Sequence, residues 1–432
     1  MKLNYKRTSL VGLAFLSILA FWSVYDFVIP LILRDTFALG DDIAGIVMAL
    51  DNILALFLLP LFGALSDKTK SRFGKRKPFI VIGTAAASVL IFTLHFADQS
   101  RSFGPFFVSL GLLLIAMGTY RSPAVALMPD VTPKPLRSKG NAIINLMGAL
   151  GGMFSLGMIP VLVKEIPGEQ TNYLPLYAAT AGLMIIAVLV LAFTVNENKL
   201  TAEMQAINYG VSPEEDQVAK SDGTGAEKLS PELRKSLALI LASVSLWFMG
   251  YNAVTTAFSK YATAVWGMSS GAASTCLLVA TGAAVISYLP VGMLSTKIGR
   301  KKMILGGIVL LAVCFAIGAL AKEFSPLLYV MFALVGFAWA SINVNSYPMV
   351  VEISKGSDVG KYTGYYYTFS MSAQILTPII SGYLLEHVGY WTLFPYSAVM
   401  VALAFFTMFM TKHGDSKPVA PSSKLEAFDT PD

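Results

Sequence analysis

Twelve apolar runs, each long enough to cross a lipid bilayer as a helix, dominate this 432-residue chain. They lie near 10–33, 43–65, 78–97, 104–129, 141–163, 173–195, 236–258, 271–294, 302–321, 326–350, 361–385 and 390–411. A hydrocarbon core about 30 Å thick takes roughly 20 helical residues. Inside it only helices or closed barrels satisfy their backbone hydrogen bonds. The alternation of a barrel is absent, so all twelve runs are read as helices. Composition agrees, with 55% hydrophobic and 13% charged residues against roughly 25% charged in soluble proteins. One large water-soluble domain is excluded, and the lipid bilayer becomes the first expected partner.

The first run follows Lys2, Lys6 and Arg7, as the core of a signal peptide does, but it continues to Arg34 without a small-residue cleavage site. It reads as a retained span. With the N-terminus placed in the cytoplasm, the cytoplasmic segments hold 26 Lys and Arg residues and the outer loops five: Arg34, Arg101, Lys164, Lys260 and Lys322. The one remaining cation, Arg121, falls inside span 4. This bias predicts a multi-pass protein of the plasma (inner) membrane with both termini cytoplasmic. It also accounts for the net charge of +6 as topology, so no nucleic-acid partner is expected.

Residues 196–235 are polar and read as a cytoplasmic linker. The expected organisation is therefore a six-helix half at 1–195, the linker at 196–235, a second six-helix half at 236–411 and a cytoplasmic tail at 412–432. Both halves carry a similar loop between their second and third spans. The first reads Gly63-Ala-Leu-Ser-Asp67-Lys-Thr-Lys-Ser-Arg-Phe-Gly74-Lys75-Arg76-Lys77, the second Gly292-Met-Leu-Ser-Thr296-Lys-Ile-Gly299-Arg300-Lys301-Lys302. Such duplication marks transporters built from structural repeats.

On these loops the chain resembles the major facilitator superfamily over essentially its whole length. The longer loop, Ser66 to Ile80, is similar to that of sucrose/proton symporters and their bacterial relatives, near the glycoside–pentoside–hexuronide cation symporters. Span 4, Tyr120-Arg121-Ser-Pro-Ala-Val-Ala-Leu-Met-Pro-Asp130, resembles an Arg-to-Asp segment of the same symporters. The resemblance implies an all-α membrane protein of twelve transmembrane helices in two pseudo-symmetric halves. It further implies that the basic loop acts as a conformational latch holding the outward-open state. Gly63, Asp67, Gly74, Lys75, Arg76 and Asp130 would form the first latch, and Gly292, Gly299, Arg300 and Glu352 a second, weakened by Thr296. Two departures stand out. Leu110 occupies the position of the plant symporters' span-4 Asp, and Leu59 that of the melibiose-type symporters' Asp before the span-2 Pro. Proton coupling is the expectation, with sodium the alternative.

Ionisable residues deep in a span are costly and usually line a cavity. Asp26, Asp51 and Arg121 qualify. From a rise of about 1.5 Å per residue, Asp26 and Asp51 share a depth roughly 10–12 Å below the outer ends of their spans. A carboxyl can take up a proton in a low-dielectric cavity and release it once the cavity opens to water. Asp26 is the preferred coupling residue and Asp51 the second, the latter also reading as a helix-packing residue. Arg121 either holds sugar hydroxyls or pairs with a carboxylate. Sugar recognition needs aromatic faces and amide edges. These are offered by Trp22 and Tyr25 in span 1, Asn145 in span 5, Trp247, Tyr251 and Asn252 in span 7, Trp339, Asn343 and Asn345 in span 10, and Gln374 in span 11.

The expected function is proton-coupled import of a disaccharide or other glycoside by alternating access, the alternatives being sodium coupling or export of drugs or metabolites. The chain carries no phosphate-binding loop of the ATPase type. Cys276, Cys314, His95, His387 and His413 make no metal, disulfide or nucleophile pattern. No cofactor, no metal and no enzymatic activity are expected, and the protein is expected to act as a monomer.

Overall fold

The computed structural model describes residues 3–133, 136–166, 168–209, 230–353 and 359–415, and among them all regular structure is helical. Six helices form the first half: α1 (Tyr5–Asp35), α2 (Asp41–Lys68), α3 (Lys77–Gln99), α4 (Phe103–Asp130), α5 (Arg137–Leu162) and α6 (Leu174–Thr194). A short helix, α7 (Glu197–Tyr209), follows. The second half comprises α8 (Pro231–Ala264), α9 (Ser270–Ile298), α10 (Arg300–Leu320), α11 (Leu327–Glu352), α12 (Val359–His387) and α13 (Leu393–Met410). Spans 7 to 12 of the sequence are thus α8 to α13.

Starts follow local chemistry. The Asn4 side chain accepts from the Arg7 N–H at 3.0 Å, and those of Ser230 and Ser269 cap α8 and α9. Proline opens α3, α6 and α8, where its missing N–H costs nothing. Among the described residues, eleven helices are long and apolar enough to cross a membrane. The remaining long one, α12, is 29 residues and is diluted by Tyr365-Tyr366-Tyr367, Ser and Gln374. Phe57, Phe193, Ile286 and Leu320 are 70%, 86%, 76% and 81% exposed, as suits a surface solvated by lipid.

Packing repeats between the halves. In the first, α1 packs on α5 and α6, α3 on α4 and α6, and α2 on α4. In the second, α8 packs on α12 and α13, α10 on α11 and α13, and α9 on α11. The halves meet through α2 with α12, α5 with α9, and α1 with α8, the pairs a two-fold relation requires. At the α2–α12 seam, Gly45 lies on the carbonyl of Pro378 and Gly382 on the carbonyl of Asp41, so a Cβ at either position would collide with backbone.

The first third of the expected linker is α7, a short polar helix invisible to a search for long apolar runs; residues 210–229 lie outside the described residues. One sequence expectation needs correction. Lys260, read as an outer-loop residue, belongs to α8, which continues to Ala264, and is 4% exposed.

Candidate functional site

Along α1, partial exposure falls on Leu13, Leu16, Leu19, Trp22, Ser23 and Asp26, then stops, and every residue from Phe27 to Leu33 is buried. Its repeat partner α8 behaves alike, with Tyr251, Asn252, Thr255 and Thr256 partly exposed and Ala257 to Ala262 buried. Two central helices that pack on each other therefore border a space reaching to Asp26 and Thr256 and closing beyond.

What closes it is polar. Lys260 of α8 is paired with Asp41 of α2, each side chain only 5% exposed. The Asp41 N–H donates to Glu386 of α12 at 2.6 Å. Arg34 of α1 donates to the Lys260 carbonyl and to Thr263 Oγ1, both at 2.9 Å. The Ser270 N–H at the start of α9 donates to Glu165 at 2.8 Å. These contacts tie the halves together at the face opposite the basic loops.

Asp26, Asp51 and Arg121 come from α1, α2 and α4 and interact electrostatically with one another. Arg121 lies over the Trp22 ring at 5.6 Å, a cation–π contact. No salt bridge among the described residues joins Arg121 to Asp26 or Asp51. The carboxylate of Asp51 accepts from the Asn52 amide side chain at 2.8 Å. Leu110, at the position of the plant symporters' carboxylate, is 1% exposed in the core.

In the second half, Tyr251 stacks on Trp339 with ring centroids 3.8 Å apart and planes 7° from parallel, and Phe248 meets Trp339 edge-on at 5.3 Å. Asn252 Nδ2, Asn343 Oδ1 and Trp22 Nε1 are buried polar atoms without a partner among the described residues. Buried groups of this kind are normally satisfied, so these three retain unused hydrogen-bonding capacity. Asn145 and Gln374 are partly buried, Gln374 donating weakly to the Ser370 carbonyl at 3.4 Å. The structure does not bring Trp247, Asn345 or Tyr25 into this group. Trp247 is 1% exposed in the core, Asn345 donates to its own helix at the Ser341 carbonyl at 2.9 Å, and Tyr25 is 2% exposed and turned into the first half.

At the basic face, Arg76 joins Asp67, Ser66 and the Gly63 carbonyl to Asp130, its Nε donating to Asp130 at 3.0 Å. Lys75 reaches Asp130 at 3.1 Å. Gly63 allows α2 to approach α4, for a Cβ there would sit 2.9 Å from Ser122 Oγ. Asp67 takes the Arg76 side chain. The N-terminus of α3 belongs to Glu197, which the sequence reading missed. Its carboxylate accepts from the N–H groups of Lys75, Arg76 and Lys77 at 2.9, 2.8 and 3.0 Å. Gly74, at φ +111°, leaves room for it.

The second half copies the arrangement. Arg300 donates to Glu352 at 2.7 Å, and Asp415 accepts from the Lys301 N–H at 2.9 Å beside Gly299, at φ +96°. Lys77 caps the end of α6 at the Ala192 and Val195 carbonyls, and Lys301 caps α13 at those of Phe409 and Thr411. Gly292 is buried in α9; the side chain of Thr296 lies outside the described residues.

A family model described as MFS/sugar transport protein matches residues 10–411. The chain belongs to that family. It is a family of transporters, so this member of the MFS/sugar transport proteins is a multi-pass membrane protein and not an enzyme. It is 26% identical over 143 residues to the sucrose transport protein SUC3 of Arabidopsis thaliana, covering 28% of this chain. It is 27% identical over 179 residues to the lactose permease of Lactobacillus helveticus, covering 37%. It is 31% identical over 159 residues to the proton-associated sugar transporter A of Mus musculus, covering 34%. The matches span 24%, 28% and 20% of those relatives' own lengths. Among solved structures, the POT family transporter PepTSo superposes with TM-score 0.67 at 10% identity, over 95% of this chain and 98% of that one. That likeness carries the fold alone.

Proposed function

We propose that this MFS/sugar transport protein is a proton-coupled importer of a disaccharide or similar glycoside. Asp26 is the proton carrier, Asp51 modulates it, and Arg121 serves both the carboxylate pair and the sugar. The observation that carries the reading is the meeting of two carboxylates and one guanidinium at the closed end of a space bordered by α1 and α8. A ring stack and unpartnered amide groups in the second half supply what a sugar needs. A proton on Asp26 takes the cluster of two carboxylates and one guanidinium from a net negative charge to neutrality, which favours closure around substrate. The relatives support the class, since the curated matches include sucrose, lactose and proton-associated sugar transporters.

In this reading both termini are cytoplasmic, the basic face is the inner face, and the two six-helix halves rock about the α1–α8 centre, joined by the 196–235 segment. The closed opposite face then makes this an inward-facing conformation. The test is uptake of a labelled sugar panel into proteoliposomes under an imposed pH gradient, with and without sodium. Accumulation driven by the pH gradient alone is expected. Accumulation requiring sodium removes the proton, and no accumulation of any saccharide overturns the reading.

A further inference from the structure

At the face opposite the basic loops, two glutamates close two different seams by the same contact. Glu386, near the end of α12, accepts from the Asp41 N–H of α2 at 2.6 Å. Glu165, just beyond the end of α5, accepts from the Ser270 N–H of α9 at 2.8 Å. Asp41 follows the N-cap Gly40 and Ser270 the N-cap Ser269, so each carboxylate takes the first N–H of a helix. Helices α5 and α12 are the fifth spans of their halves, and α2 and α9 are the second spans. The two contacts are therefore equivalents under the two-fold repeat, and each crosses from one half to the other.

The first N–H groups of a helix have no partner in their own helix, and the positive end of its dipole favours a carboxylate. Gly40 offers α2 no side-chain cap, and the Ser269 hydroxyl takes the Ala272 N–H, so both first N–H groups are left for a residue from elsewhere. The seams are tight enough at these ends to deliver one. A Cβ on Gly40 would lie 3.1 Å from the Glu386 carboxyl carbon, and one on Gly271 would lie 2.8 Å from Cα of Pro160 in α5. At the basic face the acidic caps are arranged differently. Glu197, after α6, caps α3, and Asp415, after α13, caps α10, so each stays within its own half. Caps made inside a half survive a rigid rotation of one half against the other, whereas caps made between halves must break.

We propose that Glu165 and Glu386 form one reciprocal latch: each half caps a helix of the other, and both caps are made when the outer face closes and broken together when it opens. Both glutamates are exposed, so on opening, water takes over the carboxylates and the freed N–H groups. The latch is thereby easily reversed, unlike the buried Asp41–Lys260 pair, whose separation exposes two charges. Glu386 also lies within electrostatic reach of Lys260, which joins one cap to that pair, while Glu165 serves the other seam. Such a latch rests on the rocking of the halves described above and on neither the sugar nor the proton, so a failure of pH-driven uptake leaves it standing.

The test uses the full-length protein in right-side-out membrane vesicles, with Cys276→Ala and one reporter at each seam. Thr256→Cys lies beside the α2–α12 contact, and Thr275→Cys lies one turn below Gly271, beside the α5–α9 contact. Each reporter is combined with Glu165→Gln, Glu386→Gln or both, changes that keep the side-chain shape and remove the charge. An impermeant thiol reagent added outside should react about two- to fivefold faster at both reporters in either single variant. In the double variant the two factors should multiply, because both caps bias one equilibrium. A rise confined to the altered glutamate's own seam, or a double variant no faster than the faster single one, overturns the single latch. Unchanged rates overturn any role of the caps in closure. Native Cys314, 1% exposed in the second half, reports on folding: reaction there together with the reporters means that the caps support the fold rather than gate it, and overturns the latch as well.

Discussion

Asp26 and Arg121 stand out in the sequence for one physical reason: a charge within an apolar run of twenty residues is expensive, so its presence demands a task. The structure puts both, with Asp51, in one electrostatic cluster. Asp26→Asn, which keeps the shape and removes the titration, should abolish pH-driven accumulation while leaving sugar exchange; unchanged accumulation moves the role to Asp51. Tyr251→Ala removes the exposed member of the Tyr251–Trp339 stack and should raise KM for sugar by about two- to tenfold, from a ring contribution of roughly 0.5–1.5 kcal/mol, with Tyr251→Phe near normal in the same uptake assay. Residue-scale reading failed where orientation matters. Trp247 and Tyr251 share a helix and an apolar neighbourhood, yet the first is packed in the core and the second partly open. No periodic signal separated them, because residues four apart lie on nearly the same face of a helix.

Among the helices, the basic loop does more than set topology. Glu197 holds three N–H groups at the start of α3, and Lys77 two carbonyls at the end of α6, so two residues exchanged between the loop and the segment after α6 neutralise two helix dipoles. Lys301 and Asp415 repeat the device on α10 and α13. Glu197→Ala should strand those donors in a site 1% exposed and cost about 2 kcal/mol, seen as a lower thermal unfolding midpoint in detergent, with sugar selectivity unchanged. The Gly-Lys-Arg-Lys pattern advertised the loop, but its acidic partner lies 120 residues from Lys77 in a stretch of ordinary polar composition. A short polar helix such as α7 has no apolar period to reveal it.

At the scale of the whole molecule, the closed face rests on Lys260 and Asp41, which are 219 residues apart in the chain. Lys260→Ala leaves Asp41 buried without its partner, a loss of about 3–5 kcal/mol to the closed arrangement. The halves should then part more often at that face. A Thr256→Cys reporter, at the edge of the seam, should react faster with an impermeant thiol reagent in the Lys260→Ala background; equal rates would show that the pair does not govern closure. The native Cys276 and Cys314 are buried and give little background.

The sequence by itself determined the number of spans, the two-fold repeat, the basic face and the few charges that lie inside spans. Those properties are local, because lipid leaves a segment of twenty apolar residues one way to satisfy its backbone, and a charge inside such a segment is conspicuous wherever it sits. Only the tertiary structure decided which aromatic faces are open, which acid caps α3, and which buried lysine shuts one face. These depend on helix rotation and on pairs brought together from opposite halves, and a hydropathy pattern carries neither.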